Sequence, residues 1–161
     1  MIMEAAALIG LITACATVAA KTGTLAADLN TLATKLKNAE LTVHHFVAQL
    51  SSLRSASTRL AAWLSSHGAD SLSEAEIADL QRSLDACHAL AGLVKAHVDR
   101  IKKGQVGSVF GIKAKAKAAW NDEEMKEYRQ SLQAQVQALM SSCRFFSSQA
   151  SLSREEEQQL V

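Results

Sequence analysis

Proline is absent from the 161 residues, where average usage of about 5% gives roughly eight. No helix is broken by an interior ring, and every turn falls to glycine or a polar residue. Aromatics make up only 4% of the chain, too few for a β-sandwich core or for a platform on which nucleobases stack. Only three cysteines occur, Cys15, Cys87 and Cys143. They lie far apart with no CxxC, which excludes zinc ribbons and thioredoxin-like redox motifs. Neither sign of charge dominates: the net charge is +1.

What is present is helix-forming. The chain holds 29 alanines and 20 leucines, among the residues with the best intrinsic helix propensity. Apolar residues make up 48%, enough to bury a core and to exclude a disordered chain. The length fits one domain.

Apolar positions recur with 3-4 spacing in four stretches. The first runs Leu8, Leu11, Cys15, Val18, Thr22, Leu25, Leu29, Leu32, Leu36, and the second Val43, Phe46, Leu50, Leu53, Ser57, Leu60, Leu64. The third runs Ile77, Leu80, Leu84, Cys87, Ala91, Val94, Val98, Ile101, and the fourth Met125, Tyr128, Leu132, Val136, Leu139, Cys143, Phe146. The pattern predicts an all-α, up-down bundle of four long helices at about 3–37, 39–67, 73–103 and 120–150. A basic Gly/Lys connection spans 104–119, and the domain ends near 150, leaving 151–161 as an acidic tail or linker.

Cap chemistry sets the expected boundaries. His67 and Gly68 close the second helix through a left-handed glycine. Ser73 and Glu76 form a capping box, with Leu72 stapled to Ile77. Lys102, Lys103 and Gly104 end the third helix, and Asn121 with Glu124 opens the fourth beside a Trp120–Met125 staple. The first break is expected near Asn38, where no glycine marks it.

No catalytic constellation is found. There is no nucleophile elbow, no HExxH, and no pair of carboxylates in an apolar setting. GQVGSVFGIK, residues 104–113, misses the GxxxxGK spacing of a phosphate loop. His44 and His45 are adjacent and so point about 100° apart on a helix, which makes a poor ligand pair. The expectation is a non-enzymatic chain with no catalytic residue, no cofactor and no metal, its thiols reduced packing groups.

Two features stand out from a plain bundle. Residues 95–117 carry Lys95, Arg100, Lys102, Lys103, Lys113, Lys115 and Lys117 against Asp99 alone, while the rest of the chain is net acidic. Such a cluster suits anionic headgroups at about 1 kcal/mol per cation. Nucleic acid is not expected, because the aromatic interleaving it needs is missing. The second feature is the run from Ala5 to Ala20, sixteen residues without a charge. Glu4 in place of a basic stretch argues against a signal peptide, and the run is short of the ~20 residues of a membrane span. Ala6, Gly10 and Ala14 form a small-xxx-small row that permits close helix approach. A helix apolar nearly all round is either covered on all sides or held for a membrane or a partner.

Three stretches, in this order, carry a resemblance. They are AALIGLITACATVAAKTGTLAADL (residues 6–29), AQLSSLRSASTRLAAWL (48–64) and KAAWNDEEMKEYRQSLQAQVQALMSSC (117–143). Together they resemble the HeLo-like N-terminal domain of fungal STAND proteins, the NOD-like receptors of filamentous fungi. That resemblance implies a signalling and effector module of programmed cell death, of the kind involved in heterokaryon incompatibility and fungal innate immunity. It implies a cytoplasmic protein recruited to the plasma membrane when active, which oligomerises and inserts its apolar first helix. Carried over residue by residue, insertion falls to Leu8, Ile9, Gly10, Leu11 and Ile12. Anionic-lipid contact is assigned to Lys102, Lys103, Lys113, Lys115 and Lys117 from the charge pattern. Implied partners are further copies of the chain, an anionic membrane surface, and receptor domains in the same chain or downstream. The alternative is a non-enzymatic interaction module that recruits a separate executioner, with Ser141, Ser142, Ser147, Ser148 and Ser151 as a candidate face.

Overall fold

The computed structural model describes residues 2–35, 41–103 and 123–160. They form four helices and, among the described residues, no strand: α1 (Ile2–Lys35), α2 (Leu41–Ser71), α3 (Glu74–Lys103) and α4 (Glu123–Gln159). The all-α bundle inferred from periodicity is the observed fold. The stripes are its seam: Leu11, Cys15, Val18, Leu25, Leu29 and Leu32 of α1 are buried, as is every stripe position of α2 from Val43 to Leu64. Leu80, Leu84, Cys87, Ala91, Val94 and Val98 of α3 join them, with Met125, Leu132, Val136, Leu139 and Phe146 of α4.

Contacts across the helices fix their directions. Lys21 of α1 lies 3.4 Å from His88 of α3, and Asp28 lies 3.5 Å from Lys102, so α1 and α3 run parallel. Cys143 of α4 reaches the Ala56 carbonyl of α2, and Phe146 stacks on Trp63, so α2 and α4 also run parallel. Arg100 meets Glu124 while Cys87 meets Gln135, so α3 and α4 are antiparallel. The topology is up-down-up-down, yet chain order is not spatial order. α1 packs on α2 and α3, α4 packs on the same two helices, and α1 and α4 lie on opposite corners. The order around the bundle is therefore α1, α2, α4, α3.

The turn into α3 follows the expected chemistry. The Ser73 amide donates to Glu76 Oε2 at 2.8 Å, and the Glu76 amide donates to Ser73 Oγ at 3.3 Å, satisfying two donors that the first turn would leave orphaned. Donation to the carboxylate from the Ser73 amide, and from its hydroxyl at 2.7 Å, holds Glu76 below its ordinary range. Leu72 and Ile77 both lie partly buried against the core.

Two boundaries differ from expectation. α2 does not stop at His67 and Gly68 but continues to Ser71. A glycine inside a helix costs only about 1 kcal/mol relative to alanine, too little to end one whose partners continue, and the Ser73 cap ends it instead. α4 starts at Glu123 and runs to Gln159, so residues 151–159 continue the last helix rather than forming a separate tail or linker. The Glu, Gln, Arg and Leu that fill this stretch are good helix formers, so nothing interrupts it. Both ends of α1 and the start of α2 lie within two residues of expectation. Asn38, the Asn121 cap, the Trp120 staple and the 104–119 connection lie outside the described residues.

The core contains a polar layer. Thr22 is fully buried and donates to the Val18 carbonyl at 2.7 Å, whereas Ser57, equally buried, has an Oγ with no partner among the described residues. The three thiols also face the interior. Burial pushes Cys15 up to about 12, reinforced by Cys143 and Cys87 opposite it, and burial pushes Cys87 up to about 11.

Three outcomes follow from this packing. Ser73→Ala lowers stability by about 1 kcal/mol in urea denaturation. The Glu76 contribution is present above the ordinary carboxylate range and is lost as pH falls through the lowered value. Ser57→Ala leaves stability unchanged or raises it by about 1 kcal/mol, because it removes a buried hydroxyl with no partner. In the folded chain at mildly alkaline pH, Cys15 and Cys87 react with a thiol reagent no faster than the bundle opens, and all three thiols react at once in denaturant.

Candidate functional site

α1 is 34 residues long, and its segment Ala5–Thr34 is the one stretch among the described residues long and apolar enough to cross a membrane. Only 22% of its most apolar 18-residue window is buried. The reason is positional: α1 occupies a corner, so α2 and α3 cover its inner side and no described residue covers the other. The side left open carries Ala5, Ala6, Ile9, Gly10, Thr13, Ala16, Thr17 and Ala20, with no charge among them. Ile9 is 64% exposed, and a Cβ added to Gly10 would meet nothing within 4 Å.

The five residues assigned to insertion therefore divide. Ile9 and Gly10 point outward, Leu8 and Ile12 are half-buried, and Leu11 is fully inside the core. Of the small-residue row, Ala6 and Gly10 are exposed and Ala14 is half-buried, so its exposed positions serve no close approach within this bundle.

Five of the six threonine hydroxyls of α1 are already satisfied. Thr17, Thr22, Thr24, Thr31 and Thr34 each donate to the carbonyl four residues earlier, at 2.7–3.1 Å. Such back-bonding leaves these five donors with no need of water, and Thr13 is the one threonine of α1 outside the pattern.

The basic residues lie elsewhere. Lys102 pairs with Asp28 at 3.5 Å and Lys103 is exposed at the last turn of α3. Lys113, Lys115 and Lys117 lie outside the described residues. Because Lys102 sits level with Asp28, it is sixteen residues along α1 from Ile12, or about 24 Å at 1.5 Å per residue. Among the described residues, the apolar candidates and Lys102 lie at opposite ends of the bundle and form no single patch. Much of the positive charge is also neutralised in place, since Lys95 meets Asp99 at 2.8 Å and Arg100 meets Glu124 at 3.6 Å.

Two assemblies were not read from the sequence. At the junction of α3 and α4, buried His97 places Nδ1 3.1 Å from Arg100 and 3.9 Å from Glu124. The Tyr128 hydroxyl donates to the same carboxylate, and this bond, with Arg100 behind it, holds Glu124 below its ordinary range. The second assembly is a groove of about 780 Å³ between α2 and α4, bordered by Arg59, Trp63, Cys143, Arg144 and several serines. Of the serines proposed as one interaction face, Ser147 and Ser148 border this groove, while Ser141 and Ser142 border a smaller one between α3 and α4. Ser73–Glu76 spacing announced the cap, but no spacing rule joins residue 59 to residue 144.

Among the described residues no group of three His, Cys, Asp or Glu side chains is arranged to hold a metal ion. Comparison of the chain with models of protein families, with curated proteins and with solved structures gives no match.

Proposed function

We propose that this bundle is a membrane-acting effector module, in the role that its resemblance to the HeLo-like domains implies, with α1 as its working part. One observation carries the reading: a long apolar helix, uncharged from Ala5 to Ala20, lies at a corner of the bundle with no described residue covering its outer side. A helix whose only task is to fill a core is covered on most of its surface. α1 is covered on one side.

The geometry orders the steps. First contact with lipid uses Ala5, Ile9, Ala16 and Ala20, which are exposed in the resting bundle and cost no core packing to engage. Release of α1 is the second, costlier step, because Leu11, Cys15 and Val18 leave the core at about 1.5–3 kcal/mol for each large apolar side chain. Insertion must offset that cost, so residues stay docked in the absence of a membrane or of further copies. Back-bonded threonines lower the opposing cost of leaving water. The uncharged run of about 24 Å is shorter than a ~30 Å hydrocarbon core, so insertion is shallow or thins the bilayer. Self-association fits the exposed Ala6 and Gly10, where a second helix can approach closely.

The test needs substitutions that spare the core. Leu11→Lys or Val18→Glu would destroy packing at fully buried positions and report on folding alone. Ile9→Lys with Thr13→Lys changes only exposed positions. The wild-type chain should release dye from phosphatidylserine-containing vesicles. The double variant should keep its helical signal and melting temperature but release at least about a hundredfold less, since each lysine costs about 2.5 kcal/mol or more at membrane depth. Equal release by the two proteins, or none by the wild type, rejects the reading.

A further inference from the structure

The α2–α4 groove lies on the side of the bundle away from α1 and takes no part in the reading above. It exists because the facing surfaces of α2 and α4 are built from small residues, with Ala56, Cys143 and the serines in place of leucines, so the helices leave about 780 Å³ between them. That is a volume in the range of small-molecule sites.

Its chemistry is one-sided. Arg59 from α2 and Arg144 from α4 both border it, and no lining residue is acidic. Elsewhere in the bundle Arg82, Lys95, Arg100, Lys102 and Lys126 each sit against a carboxylate. Arg59 and Arg144 have no such partner among the described residues. The field of Arg59 reaches into the groove, where it opposes the upward push that burial gives Cys143. Trp63 borders the groove, stacked on Phe146 at 4.6 Å, and its indole Nε1 is a buried donor with no acceptor among the described residues. Two guanidiniums without a carboxylate partner, contributed to one groove by facing helices, make it a place for an oxyanion.

We infer that the groove between α2 and α4 is a binding site for a phosphate-bearing ligand, held by Arg59 and Arg144 from the two helices, with Trp63 alongside. Guanidinium groups match a phosphate with paired, charge-assisted hydrogen bonds. Serine hydroxyls along the rim add donors: those of Ser147 and Ser148 already donate to the Cys143 and Arg144 carbonyls, whereas Ser51 and Ser55 remain available. The phosphate can belong to a soluble metabolite or to a lipid headgroup, and the chemistry is shared.

The two sources are separated with one phosphomonoester in two forms. Glycerol 3-phosphate is titrated as the soluble probe, and phosphatidylcholine vesicles with and without phosphatidate serve as the membrane probe. The full chain with Trp120→Phe leaves Trp63 as the only indole, and its fluorescence reports occupancy. A saturable change with glycerol 3-phosphate assigns a soluble ligand; a change only with phosphatidate vesicles assigns the headgroup. In either case Arg59→Ala with Arg144→Ala should weaken binding at least tenfold with the helical signal intact, while Arg82→Ala, a surface cation on α3, should leave it unchanged. No saturable response to either probe overturns the site. So does equal binding by the double variant, or an equal loss with Arg82→Ala, which would mean general attraction to positive charge. Because none of these variants touches α1, failure here leaves the dye-release result standing, and the reverse also holds.

Discussion

The arrangement depends on how α1 is covered. A helix that is apolar nearly all round loses water-exposed surface only where a neighbour lies against it, and a corner position in a four-helix bundle offers two neighbours. α2 and α3 bury Leu11, Cys15, Val18, Leu25 and Leu29. α4, the helix that could have covered more, lies diagonally opposite. The bundle is held together by the inner stripe and leaves the outer one as surface. The uncharged outer side, the satisfied threonines and the unused small-residue row all become visible through that single constraint.

Charge is distributed by a complementary rule. At the α3–α4 junction and along the α1–α3 edge, cations face carboxylates on neighbouring turns or neighbouring helices, so the described part of the basic segment is less positive in space than in sequence. Lys102 is held by Asp28, and Arg100 by Glu124 with His97 beside it. Exposed pairs of this kind add little stability. What they do is remove those cations from the pool open to a ligand. Arg59 and Arg144 stay in that pool, on a face where the sequence showed only a scatter of serines.

The core was almost wholly legible because a helix repeats its environment every three to four residues, and burial follows the repeat. Every stripe residue of α2 from Val43 to Leu64 is buried where periodicity placed it, and the Ser73–Glu76 cap formed as its four-residue pattern requires. Boundaries were less legible. Gly68 signals a stop locally but yields to the packing of the turns around it, and residues 151–159 read as a tail although their propensities favour helix. Spatial order was not legible at all. Four amphipathic helices joined in sequence fit more than one arrangement around the core, and choosing among them depends on side-chain volumes on several helices at once. That choice decides which face of α1 is open, that Leu8–Ile12 and Lys102 stand at opposite ends, and that residue 59 faces residue 144.

The continuity of α4 has a mechanical consequence. It is one unbroken helix of 37 residues, about 55 Å long at 1.5 Å per residue. Residues 151–159 extend it as an exposed overhang bearing Glu155, Glu156 and Glu157. Because a helix resists bending far more than a loop does, this overhang and the turns carrying Cys143, Arg144 and Phe146 are a single lever whose fulcrum is the packed seam. Whatever grips or pulls on the overhang turns the wall of the α2–α4 groove with it, and tilts Phe146 against Trp63 without any side chain having to relay the motion.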